Sequence, residues 1–115
     1  MDADDFVTLS ARREFIPSGK AALEGELPEF LSTLAAALRK GGCSMVGHIK
    51  GMVEDGGPSP LFFSLTSLDS DPQYKGGPLR PGSASTLSMN IIIAGIGSDD
   101  AARILEDAMA RCFRI

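Results

Sequence analysis

The chain has 115 residues, 43% hydrophobic and 23% charged, with a formal net charge of −4. That length and balance predict one globular domain able to bury about two thirds of its unfolded surface, and they exclude a disordered or fibrous class. No run of Lys and Arg supplies the counterion release that drives generic nucleic-acid binding, and no apolar segment reaches the roughly 18–20 residues of a membrane span, so neither nucleic acid nor a membrane is expected as a partner.

The start, MDADDF, carries Asp2, Asp4 and Asp5. It reads as a flexible acidic tail, residues 1–5, ahead of a single α+β domain, residues 6–115. It lacks the basic start and apolar run of a signal peptide, and the two cysteines lie in no C-x-x-C or zinc-ligand spacing, so a cytoplasmic location, no metal and no cofactor are expected.

Residues 6–16, FVTLSARREFI, begin with strict alternation, Val7, Leu9 and Ala11 against Thr8, Ser10 and Arg12, which predicts a half-buried strand. The IPSGK segment that follows is no phosphate-binding loop, because Glu14 stands where the motif needs glycine and Ala21 where it needs Ser or Thr. Ser18 is a candidate cap for a short turn. A helix follows, with Pro28 in its first turn, Phe30, Leu31, Leu34, Ala37 and Leu38 at helical spacing, and Arg39, Lys40 and a glycine pair at its end.

Alternation returns at residues 44–54. It divides Met45, Gly47, Ile49, Gly51 and Val53 from Val46, His48, Lys50, Met52 and Glu54. With the turn DGGPSP and the strand LFFSLTSL it predicts a β-hairpin over residues 45–67. Residues 69–85, rich in Pro and Gly, read as a long polar loop, functional or mobile by its length. Residues 86–97 place Leu87, Met89, Ile91 and Ile93 on one face of the most apolar strand. Ser98 then reads as the cap of a last helix, with Asp99 and Asp100 at its positive end and Ile104, Leu105, Ala108, Met109 and Cys112 as its buried stripe.

The order is β-α-β-β-β-α. It predicts an α+β fold: a four-stranded, mainly antiparallel sheet with two helices on one face, layered as in ferredoxin-like sandwiches though not in their strand order. Gly47 and Gly51 fall on the helix-covered face, where they would let a helix approach closely. Alternate strand directions, carried through four strands, bring both helix ends and hence Cys43 and Cys112 to one edge of the sheet. Both thiols are expected reduced, Cys112 packed and Cys43 accessible.

The opposite face gathers the residues with chemistry, and three readings of it stand open. It is a solvated sheet surface. It is a homodimer interface burying Val46, Met52, Phe62 and Ile92. Or it is an anion site, with Arg12, His48 and Lys50 supplying charge and Ser64, Thr66, Ser88 and Asn90 supplying hydrogen bonds. A catalytic pair of Cys43 and His48 is excluded within one strand, since five residues separate them by roughly 16 Å on opposite faces. The function expected is a small non-enzymatic binding or assembly domain that self-associates through this face. The alternative is an enzyme or anion-binding protein with its site around His48 and Lys50, completed by the 69–85 loop.

Overall fold

A computed structural model describes residues 6–16, 25–77 and 83–113. The expected acidic tail, Ser18 and most of the IPSGK segment lie outside the described residues. The elements run β1 (Phe6–Phe15), α1 (Glu26–Lys40), β2 (Met45–Glu54), β3 (Leu61–Leu65), β4 (Gln73–Gly76), β5 (Ser85–Ala94) and α2 (Ser98–Cys112). The strands form one antiparallel sheet in the order β1-β5-β2-β3-β4.

The sheet therefore has five strands, not four. The extra one, β4, lies inside the segment expected to be a loop and pairs with β3 through Leu61↔Gly76, Phe62↔Lys75, Phe63↔Tyr74 and Ser64↔Gln73. Its four residues follow Pro72 and end in the first of two glycines with positive φ, Gly76 and Gly77, so it is too short for alternation to be seen. Its presence inverts the direction of everything after it. β5 runs antiparallel to both β1 and β2, and α2 returns antiparallel to α1.

That reversal separates the cysteines. Cys43 follows the end of α1, its N–H donating to Leu38 O at 2.9 Å, whereas the Cys112 thiol lies 3.9 Å from Thr33 Oγ1, at the middle of α1. Both are free, and both are buried, at 8% and 6% exposure; the expected accessibility of Cys43 is corrected. Burial raises both thiol pKa values above the ordinary range, outweighing backbone hydrogen bonding at Met45 and Ala94 that lowers that of Cys43 and the Thr33 hydroxyl that lowers that of Cys112. Burial also raises the Tyr74 phenol.

A folded chain that keeps protons which the unfolded chain releases loses stability as pH rises. Denaturant midpoints should accordingly hold below the ordinary thiol range and fall above it. Under native conditions at neutral pH a thiol reagent should react slowly at both sites, and at both quickly after denaturation without reductant. One fast thiol in the folded chain would contradict the buried position of Cys43.

The core lies between the sheet and the helices. Val7, Phe15, Ile49, Val53, Leu61, Phe63, Leu65, Leu87, Met89, Ile91 and Ile93 meet Phe30, Leu31, Leu34, Leu38, Leu105, Ala108 and Met109, all buried. Phe113, just past α2, is fully buried and its ring centroid lies 4.5 Å from that of Phe15 and 4.7 Å from that of Phe30. It thus ties β1, α1 and the end of α2 together, and the Arg13 Nε–H donates to its carbonyl at 3.0 Å.

Two local expectations are also corrected. The N-cap of α2 is Gly97 with no side-chain cap bond, and Ser98 is the first helical residue. Gly51 does lie on the covered face, but what closes on it is the Phe63 ring from the neighbouring strand rather than a helix.

Candidate functional site

Both helices cover one side of the sheet; on the other, among the described residues, the strand side chains are set in rows by the register. Thr8, Ile92 and His48 form one row. Ser10, Asn90, Lys50, Ser64 and Gln73 form the next, and Arg12, Ser88, Met52, Phe62 and Lys75 the one after. Glu14, Thr86 and Glu54 close the series.

The period-2 rule fails at one point of this face. Between Val46 and His48 the register shifts, so that Val46 pairs with Ile93 and His48 with Ile92, leaving Gly47 as the extra residue of a β-bulge. Below the bulge the expected alternation holds. Above it the faces exchange. Val46 packs against the core beside fully buried Ile93 and leaves the proposed interface, while Met45, expected inside, is 57% exposed. Gly47 is exposed rather than on the helix-covered face. Met45 and Phe6, at 57% and 51% exposure, share a row through Ala94. These are the two apolar residues of this face that sequence reasoning missed; the glycine inside the strand was the signal for the bulge.

The remaining apolar groups fall into two patches separated by the Ser10–Gln73 row. Phe6, Met45 and half-buried Ile92 make one, and Met52 with Phe62, 47% exposed and paired across β2 and β3, the other. Around the second patch a shallow depression of about 400 Å³ is lined by Ser10, Lys50, Gly51, Met52, Phe62, Ser88 and Asn90 among others. Ser10 Oγ–H donates to Asn90 Oδ1 at 2.7 Å, which orients both side chains.

Of the expected anion-site residues, Lys50, Ser88 and Asn90 line this depression. Arg12 and Ser64 lie in the same two rows outside it, and His48 lies one row away beside Ile92. Thr66 lies past the end of β3 and lines a different cavity, of about 390 Å³, with Cys43, Ser44 and Asp69. The seven residues therefore do not converge on one point. Another concavity, about 550 Å³, lies on the helix side between α1 and the 65–74 region, and the ion pair of Arg39 with Asp69 is part of its lining. Among the described residues no group of three or more His, Cys, Asp or Glu could hold a metal ion, and no helix is long and apolar enough to cross a membrane.

The fold and this face together define an α+β domain with one antiparallel sheet surface that neither helix covers. No protein-family model matches the chain, and no curated protein matches it significantly. Among solved structures it is similar to the zinc(II)-bound YjiA GTPase from E. coli, with a TM-score of 0.48, and to a zinc(II)-bound triple mutant of the YjiA GTPase, with a TM-score of 0.49. Each is 18% identical, and the match covers 93% of this chain but 30% of the other.

Proposed function

We propose that the chain is a small binding and assembly domain that self-associates through the open face of its sheet. The observation that carries this reading is the uncovered surface itself. Phe62 stands 47% exposed beside Met52 in its middle, and Phe6 and Met45 are more than half exposed at one end. Apolar groups gathered on one sheet face gain free energy when a second surface removes them from water, at about 25 cal/mol per Å². Stacked sheets are a stable way to do this, about 10 Å apart with strands aligned to within about 30°.

The occupant that the face fits is a second copy. Cations and carboxylates lie on the same surface in different rows, Arg12, Lys50 and Lys75 against Glu14 and Glu54, so one copy carries both signs that the other needs. Light scattering should find the wild type as a dimer at high concentration. Phe62→Lys should shift it to monomer, with a denaturation midpoint unchanged at concentrations low enough for the wild type to be monomeric too, since the residue contributes little to the core. A wild-type monomer at high concentration overturns the reading. Thermal stabilisation of such a monomer by phosphate or carboxylates, lost in Lys50→Ala, would support the alternative of an anion or active site on Lys50, Ser88 and Asn90.

A further inference from the structure

The fold exposes its sulfur atoms unequally, and we infer that Met45 is an oxidation site: a thioether held in water that a peroxide converts to the sulfoxide while the other described sulfurs stay reduced. This inference concerns the single chain and is independent of the self-association proposed above.

The described residues hold six sulfur atoms, those of Met45, Met52, Met89, Met109, Cys43 and Cys112. Met89 and Met109 belong to the core, at 3% and 2% exposure, and both cysteines are buried. Met52 is half-buried in the row it shares with Phe62. Met45, at 57% exposure, is the one of the six that stands in water. A peroxide must reach the sulfur lone pair of a thioether to oxidise it, so exposure ranks the four methionines directly.

The β-bulge puts Met45 there. Without the extra residue, the parity that buries Ile49 and Val53 would bury Met45 as well; with it the faces exchange, Val46 packs on the core and Met45 turns out. The ladder also leaves Met45 without bulky cross-strand neighbours. Its partner on β5 is Ala94, which is small. On the other side β3 pairs with β2 only from Ile49 to Val53, so no β3 residue stands opposite the first position of β2.

The thiols do not compete with it. A cysteine reacts with peroxide as the thiolate, and burial keeps both thiols protonated at neutral pH, the Cys43 thiol also donating to the Met45 carbonyl at 3.5 Å. At Met45 the O–O bond of hydrogen peroxide breaks, one oxygen passes to the sulfur and the other leaves as water with both protons; the sulfur gives up two electrons and the peroxide takes them. The product is a polar, chiral side chain on the patch of Phe6 and Ile92, outside the core, so the packing of the domain is kept. A methionine sulfoxide reductase reverses the step, removing the oxygen as water while its thiols become a disulfide.

Peptide mass spectrometry of the full chain treated with dilute hydrogen peroxide reads each sulfur separately, at micromolar protein concentration where the chain is expected to be monomeric. Met45 should gain one oxygen at least about 10-fold faster than Met89 and Met109, with Met52 between them. Both cysteines should remain unmodified while Met45 is converted. In urea the four methionines should react at rates within a few-fold of one another, because the fold alone sets them apart. Met45→Leu should remove the fast phase and leave the slow ones as they were, and the Met45 sulfoxide should unfold at a denaturant midpoint near that of the untreated chain. Met45 reacting no faster than Met89 and Met109 in the folded chain, or either cysteine reacting before it, overturns the inference.

Discussion

Replacing Phe113 by alanine is expected to remove about 3–5 kcal/mol of stability. The ring is fully buried and makes tilted contacts with Phe15 and Phe30, at 4.5 and 4.7 Å between centroids. Its removal leaves a cavity at the one point where β1, α1 and the end of α2 meet. The hole cannot collapse easily, because Phe15 is held by pairing with Ser85 of β5 and Phe30 by the body of α1. A loss of this size is a large fraction of the 5–15 kcal/mol that a domain normally has. Urea unfolding should show a lower midpoint with an unchanged slope, and a loss below about 1 kcal/mol would mean that the ring is not packed as described.

Gly51→Val should cost about 3 kcal/mol, for the opposite reason. A Cβ at position 51 would stand 2.5 Å from Phe63 Cζ, 2.5 Å from the Ser88 carbonyl oxygen and 2.9 Å from Met89 Cβ. The Phe63 ring could turn aside. The Ser88 carbonyl cannot, because it belongs to β5, which is paired with β2 along nearly its whole length. The substitution therefore forces β2 and β5 apart at the centre of the sheet. Melting temperature is the direct readout, and a variant as stable as wild type would show that space exists where the structure has none.

These two positions mark what the sequence could and could not reveal. Glycine inside an alternating strand announced a close approach at Gly51, but not that a neighbouring phenylalanine makes it, since that depends on the Gly51↔Phe63 register. Phe113 lies one residue beyond the predicted helical stripe, and its role as the junction of three elements follows from tertiary packing that no local period records.

The alternation in β1, β2, β3 and β5 was legible because each strand buries one face only, which imposes a period of two. The same rule misassigned Val46 and Met45, because a single extra residue at Gly47 exchanges the faces above it. β4 was hidden for a different reason. Four residues that follow Pro72 and end in a positive-φ glycine carry no readable pattern, yet their pairing with β3 reverses β5 and α2 and separates Cys43 from Cys112.

For the candidate site, the sequence brought Lys50, Ser64, Ser88, Asn90, Arg12, Met52 and Phe62 to one face, and the register sets all seven in two adjacent rows. It did not supply their order across the sheet. That order comes from β5 inserting between β1 and β2, a choice made by the whole fold rather than by any segment.

Self-association through the open sheet face is tested most directly by sedimentation equilibrium of the wild-type chain from micromolar to millimolar concentration. The expected result is a reversible rise from the 12.1 kDa monomer to twice that mass, with no larger species, as a closed two-fold face requires. A mass that stays at the monomer value throughout would contradict self-association through the open sheet.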